Sequence, residues 1–219
     1  MAEVAAEQDG DLAVGEPVPL QERWCFWVDK PVSGNATAEQ YEESLHNLCT
    51  VQTVQDFWGA FNTLPLVGKM RAKSSLHMMK FGIRPLWEDP MNVDGGFWAM
   101  RVKKDDTQTI WADLCMAASG EQFDCILEAG DSINGITVSV RQHDNIIEVW
   151  NRLSDNKDSI LKRIEELIPQ FFQVKSKKNA PKVYYKKCRQ HTAFSEDHAS
   201  IRKKTLQRPR QPVNRNRPR

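Results

Sequence analysis

The sequence predicts an α+β fold: an antiparallel sheet covered by helices on one face and open on the other. Three observations predict it. The segment NGITVSVRQHDNIIEVWN (134–151) has a hairpin pattern, with Ile136, Val138 and Val140 alternating before a turn at His143–Asn145 and Ile147 and Val149 alternating after it. Three other segments carry helical apolar spacing with recognisable starts and stops. The predicted order is β-β-α-β-β-α-β-β-α-β, with strands in pairs and helices between pairs, unlike the strict alternation of a doubly wound parallel sheet.

Taken in order, RWCFWVD (23–29) sets Trp24 and Phe26 against Cys25 and Trp27, which suits a strand with aromatics on both faces. KPVSGNATAEQ (30–40) reads as loop, and SLHNLCTV (44–51) as a second strand. In TVQDFWGAFNTLP (53–65), Thr53 and Asp56 have capping-box spacing, Val54, Phe57, Trp58 and Phe61 follow the helical period, and Pro65 ends the run. Residues 66–75 read as loop and LHMMKF (76–81) as a strand. MNVDGGFWAMRV (91–102) reads as an Asp-Gly-Gly turn feeding an edge strand of a hairpin. DDTQTIWADLCMAASG (105–120) is a second helix stopped by Gly120, and DNKDSILKRIEELIP (155–169) a third, capped by Asp155 or Asn156. PKVYYKKCR (181–189) is a late strand. No repeat period is visible.

A hydrophobic share of 40% in 219 residues supports one core. The net charge of +1 hides an asymmetry. Residues 1–171 hold 15 Lys/Arg against 27 Asp/Glu, a balance of −12, whereas residues 172–219 hold 15 against 2, a balance of +13. Residues 1–19 are expected to form a disordered acidic arm, residues 20–190 the folded domain, and residues 191–219 a disordered basic tail. The tail suits a solubilising segment, non-specific RNA attraction or a nuclear address. The acidic N-terminus predicts no signal peptide, and no stretch reaches the roughly 18 apolar residues of a membrane span. Five cysteines without a CxxC pair suit reduced thiols in the cytoplasm.

Enzyme motifs are missing: there is no GxGxxG, GxxxxGK[ST], HExxH or GxSxG. His46, His77, His143, His191 and His198 are scattered and none has metal-ligand spacing, so neither a catalytic residue, a metal site nor a cofactor is expected. The anomaly is seven tryptophans. Trp24, Trp27 and Trp98 suit a core, but Trp87 in RPLWEDP (84–90) lies on a proline-bounded loop beside Glu88 and Asp89. An indole face beside a carboxylate can stack a flat ligand and accept hydrogen bonds from its edge. Guanine presents N1–H and the N2 amino group side by side, so one carboxylate can accept both.

The segments PLQERWCFW (19–27), TVQDFW (53–58), RPLWED (84–89), GGFW (95–98), GEQF (120–123) and VSVRQHDNIIEVW (138–150) resemble, in order and spacing, the eukaryotic translation initiation factor 4E family, which binds the 7-methylguanosine cap of mRNA. TVQTVQ, GEQF and VYYKK are most similar to its class III branch. The resemblance covers roughly residues 18–190. It implies a curved antiparallel sheet backed on its convex face by three helices, with the cap site on the concave face. It also implies that Trp87 is one slice of an aromatic sandwich, that Glu88 reads the guanine edge, that Trp150 abuts the N7-methyl group and that Arg141 meets the phosphates. Tyr41 stands where the family prototype has its second tryptophan. Phe97 and Ile146 replace basic residues, so Lys186 or Lys187 is expected to supplement the phosphate grip, and Asp89 to shape the loop.

The resemblance implies a second surface for a partner helix bearing a tyrosine and a leucine-hydrophobic pair. Pro19, Val54, Trp58 and Gly120 match that site, Asp113 stands for a glutamate, and Ala112 for a larger apolar residue. The function implied is recruitment of an initiation scaffold to capped mRNA by a non-enzymatic, cytoplasmic monomer. The alternative is a cap-binding competitor that recruits a repressor and inhibits translation.

Overall fold

A computed structural model describes residues 16–31, 38–172 and 182–190. The expected acidic arm lies outside the described residues up to residue 15, and the basic tail lies outside them entirely. Seven strands, β1 (Pro19–Asp29), β2 (Leu45–Thr53), β3 (Ser75–Lys80), β4 (Gly96–Val102), β5 (Ile133–Ser139), β6 (Asn145–Asn151) and β7 (Lys182–Lys187), form one sheet in the order β2-β1-β3-β5-β6-β4-β7. Every neighbouring pair is antiparallel.

The residues directly opposite one another show how the sheet divides its faces. One face carries Trp24, Phe26, Leu76, Met78, Ile136, Val138, Ile147, Val149 and Met100, all buried. Three longer helices cover it: α2 (Val54–Thr63), α3 (Lys104–Ser119) and α4 (Lys157–Leu167). Helix α3 packs over β5, β1 and β6, burying Ile110, Trp111 and Leu114, and each such side chain contributes roughly 1.5–3 kcal/mol. The other face runs in register through Trp27, His77, Thr137, Glu148 and Ala99, and in the next row through Asp29, Ser75, Ser139, Ile146 and Arg101. Polar side chains dominate these rows, and the site lies here.

The capping box of α2 forms as its spacing predicts. Asp56 N–H donates to Thr53 Oγ1 at 3.0 Å, and Thr53 N–H donates to Asp56 Oδ2 at 3.2 Å. Gly120 follows the last residue of α3, and its N–H donates to Met116 O at 2.8 Å. The left-handed residue is Glu121, at φ 55°, one position later. Asn156 precedes α4 without a side-chain cap bond.

Three expectations need correction. Residues 38–40, read as the end of a loop, and Ser44, read as the start of a strand, belong with 41–43 to helix α1 (Ala38–Ser44), and Tyr41 sits on it. The strand read from 44 begins at Leu45, and a fifth, short helix, α5 (Pro169–Phe172), follows α4. Strands β3 and β4 are not a hairpin: β5 and β6 separate them, and β4 is flanked by β6 and β7. The Asp94-Gly95-Gly96 turn chemistry is present, but the loop it ends carries the chain across the sheet rather than back along β3. Gly95 fits there because a Cβ would lie 1.9 Å from Asn151 O.

Candidate nucleotide-binding site

The rings of Tyr41 and Trp87 face each other, with centroids 6.4 Å apart and planes within 4° of parallel. Two rings in contact stand roughly 3.5 Å apart, so this spacing is close to the separation that one inserted flat ring requires. Helix α1 presents Tyr41, and the 84–95 loop presents Trp87. Asp89 is buried and holds that loop from inside. Its Oδ2 accepts from the Arg84 N–H at 3.2 Å and its Oδ1 from the Met91 N–H at 3.0 Å. Asn92 Nδ2 donates to Leu86 O at 2.8 Å and to Arg84 O at 3.0 Å, and Asn134 Nδ2 donates to Asn92 Oδ1 at 2.9 Å. Asp89 therefore shapes the loop, and Glu88 is left exposed.

The slot opens onto a cavity of about 460 Å³ lined by residues that include Asp29, Tyr41, His77, Trp87, Arg141, Glu148 and Trp150. Four of the five predicted cap residues thus converge on one cavity, while Glu88 lies outside its lining. Trp150 is buried against Phe97, with ring centroids 4.8 Å apart, and Trp87 and Ile146 pack onto this small apolar cluster with Cys188. Burial, reinforced by the charges of Glu148 and Glu88, pushes the Cys188 thiol up to about 12. Lys186 lies opposite Phe97 on the cavity face, whereas Lys187, opposite Gly96, has the other orientation.

Acidic groups form much of the floor, and sequence reasoning missed them. Tyr41 donates its hydroxyl to Asp29 Oδ2 at 3.2 Å, and Ser75 N–H donates to Asp29 Oδ1. His77 Nε2 stands 3.8 Å from Asp29 Oδ2, and its Nδ1 pairs with Thr137 Oγ1 at 2.9 Å. Burial, with the nearby Asp29 carboxylate, holds the Tyr41 phenol well above its ordinary range. Burial also lifts the Glu148 carboxyl to about 7, against the opposing pull of Arg141 and Lys186. The Trp150 indole N–H is near enough to favour ionised Glu148 but closes no hydrogen bond. Strand alternation could have exposed Asp29, two residues after Trp27, and Glu148, two residues before Trp150.

On the helical side, Trp58 is 39% exposed although it meets Phe57 and Phe61 edge-on. Phe61 stacks on Trp111 at 5.1 Å, joining α2 to α3. Val54 lies one turn before Trp58, and its N–H donates to Val18 O at 2.8 Å, next to Pro19. Asp113 on α3 and Gly120, which caps its C-terminal end, are seven residues apart and share a side, with the exposed Met116 between them. Asp113 Oδ2 accepts from Gln170 Nε2 at 3.3 Å. The predicted partner residues therefore lie on α2, α3 and the adjoining start of β1, across the sheet from the ring slot.

Comparison with known proteins agrees with this architecture. The barley (Hordeum vulgare) protein "Eukaryotic translation initiation factor 4E-1" is 33% identical over 159 residues, covering 71% of this chain and 72% of its own. The structure of Ascaris suum eIF4E-3 with an m2,2,7G cap matches with a TM-score of 0.66 at 28% identity, over 80% of this chain and 93% of the other. That of C. elegans eIF4E-3 with the 4E-binding protein Mextli and a cap analog matches with a TM-score of 0.65 at 30% identity, over 89% of this chain and 98% of the other. The family described as Eukaryotic initiation factor 4E matches residues 19–204, and the chain belongs to that family.

Proposed function

We propose that the Tyr41–Trp87 slot binds the 7-methylguanosine cap of mRNA, and that the Trp58 surface recruits a scaffold protein for translation initiation. The observation that carries the reading is the parallel pair of rings over a cavity that also holds Trp150 and Arg141. Methylation at N7 makes the base cationic. Base stacking supplies roughly 1–3 kcal/mol and a cation over each ring adds about 0.5–2 kcal/mol. Glu88, adjoining Trp87, is the acceptor for guanine N1–H and N2. Arg141 and Lys186 meet the phosphates, with Trp150 against the methyl group. The Ascaris and C. elegans relatives, with their cap ligands, support the first half; Mextli bound to the C. elegans protein supports the second.

The protein acts by binding, not turnover, and the reading carries a cytoplasmic location with it. Among the described residues, no helix is long and apolar enough to cross a membrane. Titration of intrinsic tryptophan fluorescence tests the cap half: 7-methyl-GTP should quench strongly and GTP weakly. Equal responses to the two would overturn it. Glu88→Ala should weaken binding more than Tyr41→Ala, because it abandons two donors of a partly desolvated base.

A further inference from the structure

We propose that Arg84 is a positioning residue that ties the two walls of the ring slot together from outside. The inference rests on the cap-binding reading of that slot. Helix α1 has seven residues, whereas isolated helices below roughly 12–15 residues are marginal in water, so tertiary contacts must hold Tyr41 in place. One contact is the Tyr41 hydroxyl on Asp29 at the floor. Another is on the next residue: Arg84 Nη1 donates to Glu42 Oε1. The same guanidinium reaches back to its own loop, with Nε 3.5 Å from Asp89 Oδ2.

One side chain thus touches the helix that bears the first ring and the buried acid that shapes the loop of the second. Arginine suits this because its planar fork can address two carboxylates at once, where lysine would be a point charge. Arg84 and Glu42 have side-chain exposures of 45% and 51%, so the pair contributes little to folding. Its effect falls on the slot, because a gap of about 0.5–1 Å already forfeits a quarter to a half of a contact's attraction.

The test is a double-mutant cycle with Glu42→Gln and Arg84→Gln, read by 7-methyl-GTP titration and by hydrogen exchange of residues 38–44 without nucleotide. Glu42→Gln should weaken nucleotide binding about three-fold in low salt, an effect an exposed pair can supply, and less at about 0.5 M salt. The double variant should lose no more than Arg84→Gln alone. Exchange in α1 should quicken in both single variants, with Tm nearly unchanged. Additive losses, or unchanged affinity in Glu42→Gln at low salt, would overturn the bracket. Should the wild type take 7-methyl-GTP and GTP alike, the cap reading fails instead; exchange then decides the bracket, and unchanged rates in α1 would refute it.

Discussion

Tyr41 differs from an indole at the same place in having a hydroxyl to anchor, and Asp29 accepts it. Tyr41→Phe keeps the ring but loses that bond, so titration with 7-methyl-GTP should show a loss of about two- to ten-fold, consistent with about 0.5–1.5 kcal/mol for one hydrogen bond. Glu148 supplies a pH dependence. Its carboxyl rises from 4.5 to about 7 in the fold because burial disfavours its charge. Below 4.5 it is protonated in folded and unfolded chains alike. Between 4.5 and about 7 the unfolded chain releases the proton while the folded chain retains it, so stability falls as pH rises through this window. Glu148→Gln should therefore stabilise the protein at pH 8, by on the order of 1–3 kcal/mol in urea unfolding, and have little effect at pH 4. That Trp87, Trp150 and Arg141 share one cavity was legible because their motifs have fixed spacing. Asp29, His77 and Glu148 were not, because each looks like an ordinary strand residue until the register places them on one floor.

Helices α2, α3 and α4 were readable because their apolar period is local, although of the expected N-terminal caps only the α2 box forms and the cap expected from Asp155 or Asn156 does not. Thr53→Ala should cost about 1 kcal/mol in urea unfolding by removing the Thr53 half of the α2 box. Helix α1 was hidden because AEQYEES, though made largely of helix formers, is short and follows the Gly34-Asn35 stretch, and contacts with Asp29 and Arg84 hold it. The sheet order was hidden for a different reason. Turn residues tell where a chain turns, but the partner of β4 is chosen by packing between residues distant in sequence. Gly135 on β5 shows how tight that packing is: a Cβ there would lie 2.2 Å from Met79 Sδ and 2.7 Å from Met78 O. Gly135→Ala should lower stability by about 1–3 kcal/mol, measured by thermal or urea unfolding, because overpacking forces neighbouring chains from their preferred positions.

With the ring slot on one face of the sheet and Trp58 on the other, the molecule can hold a capped message and a partner helix together. Trp58→Ala should cost a partner peptide about 2 kcal/mol or more in calorimetry while leaving 7-methyl-GTP affinity within about two-fold. The near-parallel rings have a kinetic consequence. Walls already set close to the spacing of an inserted base leave little rearrangement to precede capture. Arrival then depends chiefly on diffusion and electrostatic attraction, and stopped-flow traces of Tyr41→Phe, which keeps the ring and the charge, should differ from wild type in dwell time far more than in capture rate.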